Sequence, residues 1–129
     1  MARESESPRN IFYVQCSLAK TYLVLNDVDS LRSALIELLT LAQSLRGHPQ
    51  KVEAVSVAVA YYQCLGRNEQ AAFWAGTILG DVELDQAFVT PVYAKLEAAL
   101  GSERYQAAIH TGKALVLDEV AEEILSLLI

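Results

Sequence analysis

The chain has 129 residues, 53% of them apolar and 20% charged, with a formal net charge of −6. A single domain of this size buries enough surface to fold without disulfides or metal, and the acidic balance argues against a nucleic-acid footprint, which needs clustered Lys and Arg. Charges or turn residues interrupt every apolar run, so no membrane span is expected, and Met1 to Asn10 is too polar for a secretory signal.

Met1 to Pro8 has no period and reads as part of a flexible tail over residues 1–10, broken at Ser7-Pro8, with Asn10 as the first cap. Residues 11–129 then read as one helical-repeat domain. From Ile11 to Asn26 the apolar residues Ile11, Val14, Leu18, Tyr22 and Leu25 recur at helical spacing, which predicts a helix with that face turned inward. Asn26 ends it, and Asp27 or Asp29 caps the next. A second helix from Ser30 to Leu45 carries a continuous Leu and Ala stripe, and Gly47 and Pro49 stop it. A third runs from Gln50 to Leu65. Its valines also suit a strand, but the flanking helical periods favour a helix. Gly66 stops it.

A fourth helix spans Asn68 to Leu79 and contains the lone tryptophan, Trp74, read as a core anchor. Pro91 either opens a helix capped by Thr90 or sits inside a longer one from Glu83. The longer helix is favoured, because Leu84, Ala87, Phe88, Val92, Leu96 and Ala99 share one face across the proline. Ser102 is expected to cap a short helix from Glu103 to His110, ended by Gly112. Asp118 to Leu128 is a last helix with Val120, Ile124, Leu127 and Leu128 facing inward, against the preceding pair or a second chain. The expectation is an all-α fold of stacked antiparallel pairs, an α-α superhelix of about six to seven helices.

The pattern repeats. Ala19, Tyr22, Asn26 and Leu31 return about forty residues later as Val59, Tyr62, Gly66 and Ala71. A recurring helix, turn, helix unit is the mark of a stacked helical array. This small–Tyr–turn–small pattern resembles the tetratricopeptide repeat, and Ala58, Tyr62, Gly66 and Ala71 match its register best. The first copy departs from it at Asn26 and Leu31. The second half is similar to the tail of repeat arrays in large bacterial regulators that carry an ATPase, cyclase, kinase or LuxR-type module. Leu100-Gly101, Tyr105, Ala107-Ala108, Gly112 and Asp118-Glu119 carry that resemblance. It implies a partner-binding helical module in cytoplasmic signalling or transcriptional regulation.

No catalytic constellation stands out. His48 lies beside Gly47 and Pro49 and reads as a loop residue, and His110 as a helix-end residue. Glu122-Glu123 and Asp81, Glu83 and Asp85 read as solvated faces, without the spacing of a calcium loop. The glycines are scattered at expected helix ends, with no phosphate-cradling loop. Cys16 and Cys64 read as free buried thiols. The expectation is therefore no enzyme, no cofactor and no metal. If first helices line a concave face as in the repeat family, Tyr13, Cys16, Lys20, Leu23, Ser56, Ala60 and Gln63 form a partner groove. A protein or peptide helix would occupy it, and a homodimer is an alternative. A carboxylate clamp is not expected, since Lys20 stands nearly alone. A small-molecule sensor would instead need a pocket near Trp74, Tyr61 and Tyr62.

Overall fold

The computed structural model describes residues 7–129, and the part of the expected tail over Met1 to Glu6 lies outside them. The described residues form seven helices and no strand. They are α1 (Pro8–Leu25), α2 (Val28–Leu45), α3 (His48–Cys64), α4 (Asn68–Ile78), α5 (Gln86–Leu100), α6 (Ser102–Lys113) and α7 (Leu117–Leu128). The all-α expectation therefore holds.

Local chemistry sets the helix ends. α1 starts before Ile11, because Ser7 rather than Asn10 is the cap. The Ser7 hydroxyl accepts from the Asn10 amide at 3.1 Å. Pro8 takes the first helical position, where a missing N–H leaves nothing unpaired. Asp27 caps α2 by accepting from the Ser30 amide. At the end of α2, Arg46 and not Gly47 takes the left-handed conformation, and Gly47 becomes the extended residue before α3.

The repeat is visible in backbone hydrogen bonds. After α1, the Asp27 amide donates to the Tyr22 carbonyl at 2.9 Å and the Asn26 amide to Leu23. After α3, the Arg67 amide donates to Tyr62 at 3.0 Å and the Gly66 amide to Gln63. Both are Schellman closures on the repeated tyrosine. The helices that follow begin alike, Leu31 donating to Asp27 and Ala71 to Arg67. Leu31 and Ala71 are both buried, as are Ala19 and Val59.

Gly66 has φ +81° with open space where a Cβ would stand. Gly66→Ala is therefore expected to cost about 1 kcal/mol from backbone strain alone. Gly66→Asn should cost less, because Asn26 holds the same conformation at the first turn. Urea unfolding of both variants checks this. Equal stability of Gly66→Ala and the parent would contradict the turn geometry.

α5 keeps Pro91 in its interior but starts at Gln86 rather than near Glu83. Asp81 accepts from the Glu83 amide and Asp85 from the Phe88 amide, so these two carboxylates shape the turn and the cap. The carbonyl that Pro91 leaves without a partner belongs to Ala87, an exposed residue whose carbonyl water can satisfy. The buried side of α5 carries Val89 and Leu96, with Phe88, Val92, Tyr93 and Leu100 packed beside them. Ala87 and Ala99, expected on that face, are exposed. Gly101 caps α6, and Ser102 is its first residue, with its hydroxyl on Glu97 at 2.8 Å. Gly112 does not end this helix. It lies inside α6.

α1 packs on α2 and α3 on α4, whereas α6 packs mainly on α4 and only lightly on α5. α3 sits at the centre, touching α1, α2, α4, α5 and α7. That position explains why Ala54 to Tyr62 are all buried, a helix apolar on every side. α7 does not open a further pair. It turns back across α2, α3 and α4, placing Val120, Ala121, Ile124 and Leu128 in the core and leaving Leu127 exposed. The Arg32 guanidinium reaches the Leu128 carbonyl, and Lys51 meets Asp118 at 2.7 Å, so both ends of α7 are tied down.

Candidate interaction surface

The seven residues expected to line an open groove do not form one. Cys16, Ser56 and Ala60 are buried, and Leu23 and Gln63 are half-buried. Tyr13 is half-exposed, with its hydroxyl accepting from Gln50 Nε2 at 3.3 Å. The Ser56 hydroxyl is satisfied within its own helix by the Glu53 carbonyl. The physical reason is that α1 packs directly on α3 and α5 packs on α3 as well, so these side chains are spent on helix contacts.

Lys20 is not alone. Its ammonium lies 2.6 Å from Glu53, 3.4 Å from Asp85 and 4.6 Å from the centre of the Phe88 ring. Burial works against the charge on Lys20, but the Glu53 hydrogen bond and the charges of Glu53 and Asp85 outweigh it and push the pKa up. The cation therefore ties α1 to α3 and to the start of α5, and its charge is spent inside the molecule. Burial, reinforced by the Glu53 charge, pushes the neighbouring Cys16 thiol up to about 12 despite Lys20. Such a thiol is unreactive. Cys64, expected to be buried, is exposed.

The aromatic cluster is filled. Trp74 is 2% exposed and meets Tyr62 edge to face at 4.7 Å, and Tyr62 meets Tyr61 in the same way at 5.4 Å. The indole N–H points to Glu123 on α7 at 3.4 Å. These rings occupy the space that a ligand pocket at this place would need. His48 is the first residue of α3, not a loop residue, and its Nε2 faces the Asp81 carboxylate at 2.6 Å. Burial alone would raise the Asp81 carboxyl. The Glu83 amide and His48 outweigh it and hold the carboxyl below its ordinary range. Glu122 and Glu123 are exposed, as expected. Among the described residues, no group of three or more His, Cys, Asp or Glu is placed to hold a metal ion, and no helix is long and apolar enough to cross a membrane.

The apolar surface lies elsewhere, on the outer side of α1. The residues α1 buries are Phe12, Cys16 and Ala19. The stripe expected to face inward faces out: Val14 is 60% exposed, Leu18 40% and Leu25 67%, with Ile11 and Tyr22 half-buried beside them. α1 carries two apolar stripes, and the one with small residues won, because Cys16 and Ala19 let other helices approach closely. The repeat register held this signal, since Ala19 is the small position that recurs as Val59. Between the exposed stripe and α2 runs a shallow depression of about 310 Å³, lined by Gln15, Leu18, Tyr22, Ser30, Ser33, Ala34 and Glu37. No protein-family model, curated protein or solved structure matches the chain.

Proposed function

We propose that this chain is a non-catalytic, tetratricopeptide-like scaffold that binds another protein surface in bacterial cytoplasmic signalling or transcriptional regulation. The regulatory setting comes from the resemblance of its second half to repeat arrays of bacterial regulators. The observation that carries the binding role is the outer face of α1. Val14, Leu18 and Leu25 stand exposed in one line. Their neighbours on α1 itself, Asn10, Gln15, Ser17 and Thr21, are polar but uncharged. Interface centres are depleted in charge, while ordinary solvated helix faces carry Lys and Glu. The seven residues of the expected concave groove are largely occupied within the fold, so the binding surface moves to α1.

A photo-crosslinking residue in place of Val14, irradiated in cells, tests this. Protein adducts are expected from Val14. None is expected from the same residue at Gln106, an exposed position among polar neighbours on α6. Equal labelling at both sites, or none at Val14, would overturn the reading.

A further inference from the structure

The exposed stripe has a symmetry that bears on its occupant. Ile11, Val14, Leu18, Tyr22 and Leu25 lie at −7, −4, 0, +4 and +7 from Leu18. The spacing is the same read in either direction. An antiparallel two-fold contact can use this pattern in full, because residue i of one copy meets residue j of the other, and j meets i. Two α1 helices laid antiparallel about an axis at Leu18 set Leu18 on Leu18, Val14 on Tyr22 and Ile11 on Leu25. Each apolar residue then finds an apolar partner. The eleven-residue steps from Ile11 to Tyr22 and from Val14 to Leu25 keep a nearly straight helix in register along the contact.

Charge points the same way. The chain carries a net charge of −6, so most pairings of its surface with itself place like charges together. Within α1 the stretch from Asn10 to Leu25 contains one charged residue, Lys20, held by Glu53 and Asp85 on the other side of the helix, and Glu37 of α2 is the charged residue that borders the stripe at the depression. A head-to-tail contact between copies would instead bring this face to the far end of the stack. There the exposed residues of α5 and α6 mix polar side chains, Thr90, Lys95, Gln106, His110 and Thr111, with small apolar ones such as Ala94, Ala98 and Ala107, and carry no second stripe of large apolar side chains. α1 is 18 residues long, about 27 Å.

We propose that the outer face of α1 is a homodimer interface, with a second copy of this chain docked antiparallel about a two-fold axis at Leu18. This rests on the reading of that face as a binding surface and names its occupant. The pairing predicts one position at which a residue meets itself. In a Cys64→Ser background, which removes the exposed thiol, Leu18→Cys should oxidise to a disulfide-linked dimer. Val14→Cys should not, because the two copies of residue 14 sit eight residues apart along the pair, about 12 Å. Leu18→Glu should weaken the dimer at least roughly tenfold in sedimentation. It should leave the helical circular dichroism unchanged, since Leu18 is on the surface.

A parent chain that stays monomeric at high micromolar concentration would overturn the homodimer. So would crosslinking at residue 14 but not 18. The mass of the in-cell adduct from Val14 separates the two claims. Twice the chain mass supports the second copy. A different added protein overturns the second copy while the binding surface stands, and absence of any adduct overturns both.

Discussion

Gly112→Ala should lower the melting temperature by roughly 10 °C, although alanine is the better helix former. Gly112 lies in α6 and Gly76 in α4, and the two helices pack backbone to backbone there. A Cβ on Gly112 would overlap the Phe73 carbonyl and come within 3.2 Å of the Gly76 Cα. One on Gly76 would overlap the Ile109 carbonyl. Neither neighbour is a side chain that can rotate away. The Thr77 hydroxyl donates to the Gly112 carbonyl at 2.9 Å and holds the approach. In a solvated helix, alanine would gain about 1 kcal/mol over glycine. Here the overlap forces α4 and α6 apart, and overpacking costs about 3 kcal/mol, or roughly 10 °C for a domain of this size. The reverse change at exposed Ala107 on the same helix should cost only the ordinary propensity difference, about 1 kcal/mol. Gly76→Ala and Gly112→Ala act on one contact, so the double variant should lose less than the two losses added. A Gly112→Ala chain as stable as its parent would refute this packing.

Trp74→Ala is the second large effect, with an expected loss of about 3–5 kcal/mol. The indole sits on α4 but is shared. It packs edge to face on Tyr62 of α3, and its N–H points to Glu123 of α7. Truncation therefore opens a cavity where three helices meet. α7 should lose hydrogen-exchange protection before the rest, because it rests on α2, α3 and α4 and the truncated side chain is one of its contacts. Glu123→Gln should cost well under 1 kcal/mol, since that bond is long and its acceptor is exposed. Trp74 is also the lone tryptophan, so its emission should be blue-shifted in the native state and move red in denaturant. A loss below 1 kcal/mol for Trp74→Ala would mean that α7 is not docked on this side chain.

Much of the fold was legible because helix ends are written locally. Asn26 and Gly66 stop their helices through the same closure, and the distance along the chain between them announced the repeat. The apolar period that crosses Pro91 marks it as a helix-interior residue, and it lies inside α5. The misread ends have local reasons too. Arg46 took the left-handed conformation beside an available Gly47, and Gly101 displaced Ser102 as a cap because the serine hydroxyl went to Glu97.

The site was less legible. Apolar period shows that a helix has a face, not which of two faces the neighbours choose. On α1 the inward face went to Phe12, Cys16 and Ala19, where two small residues beside one ring let the neighbouring helices come close. The expected groove of Tyr13, Cys16, Lys20, Leu23, Ser56, Ala60 and Gln63 assumed an open face between α1 and α3, but these helices pack on each other and α5 packs on α3. Gly76 and Gly112 look like any other glycine until two backbones from distant parts of the chain meet at them.

The sequence by itself thus determined helices, turns and the repeat, because those depend on residues within one or two turns of each other. Only the tertiary structure decided which stripe of α1 meets the core, where α7 docks and which glycines are packing positions. Each of those depends on the volume and charge of residues in other helices, and no local pattern carries them.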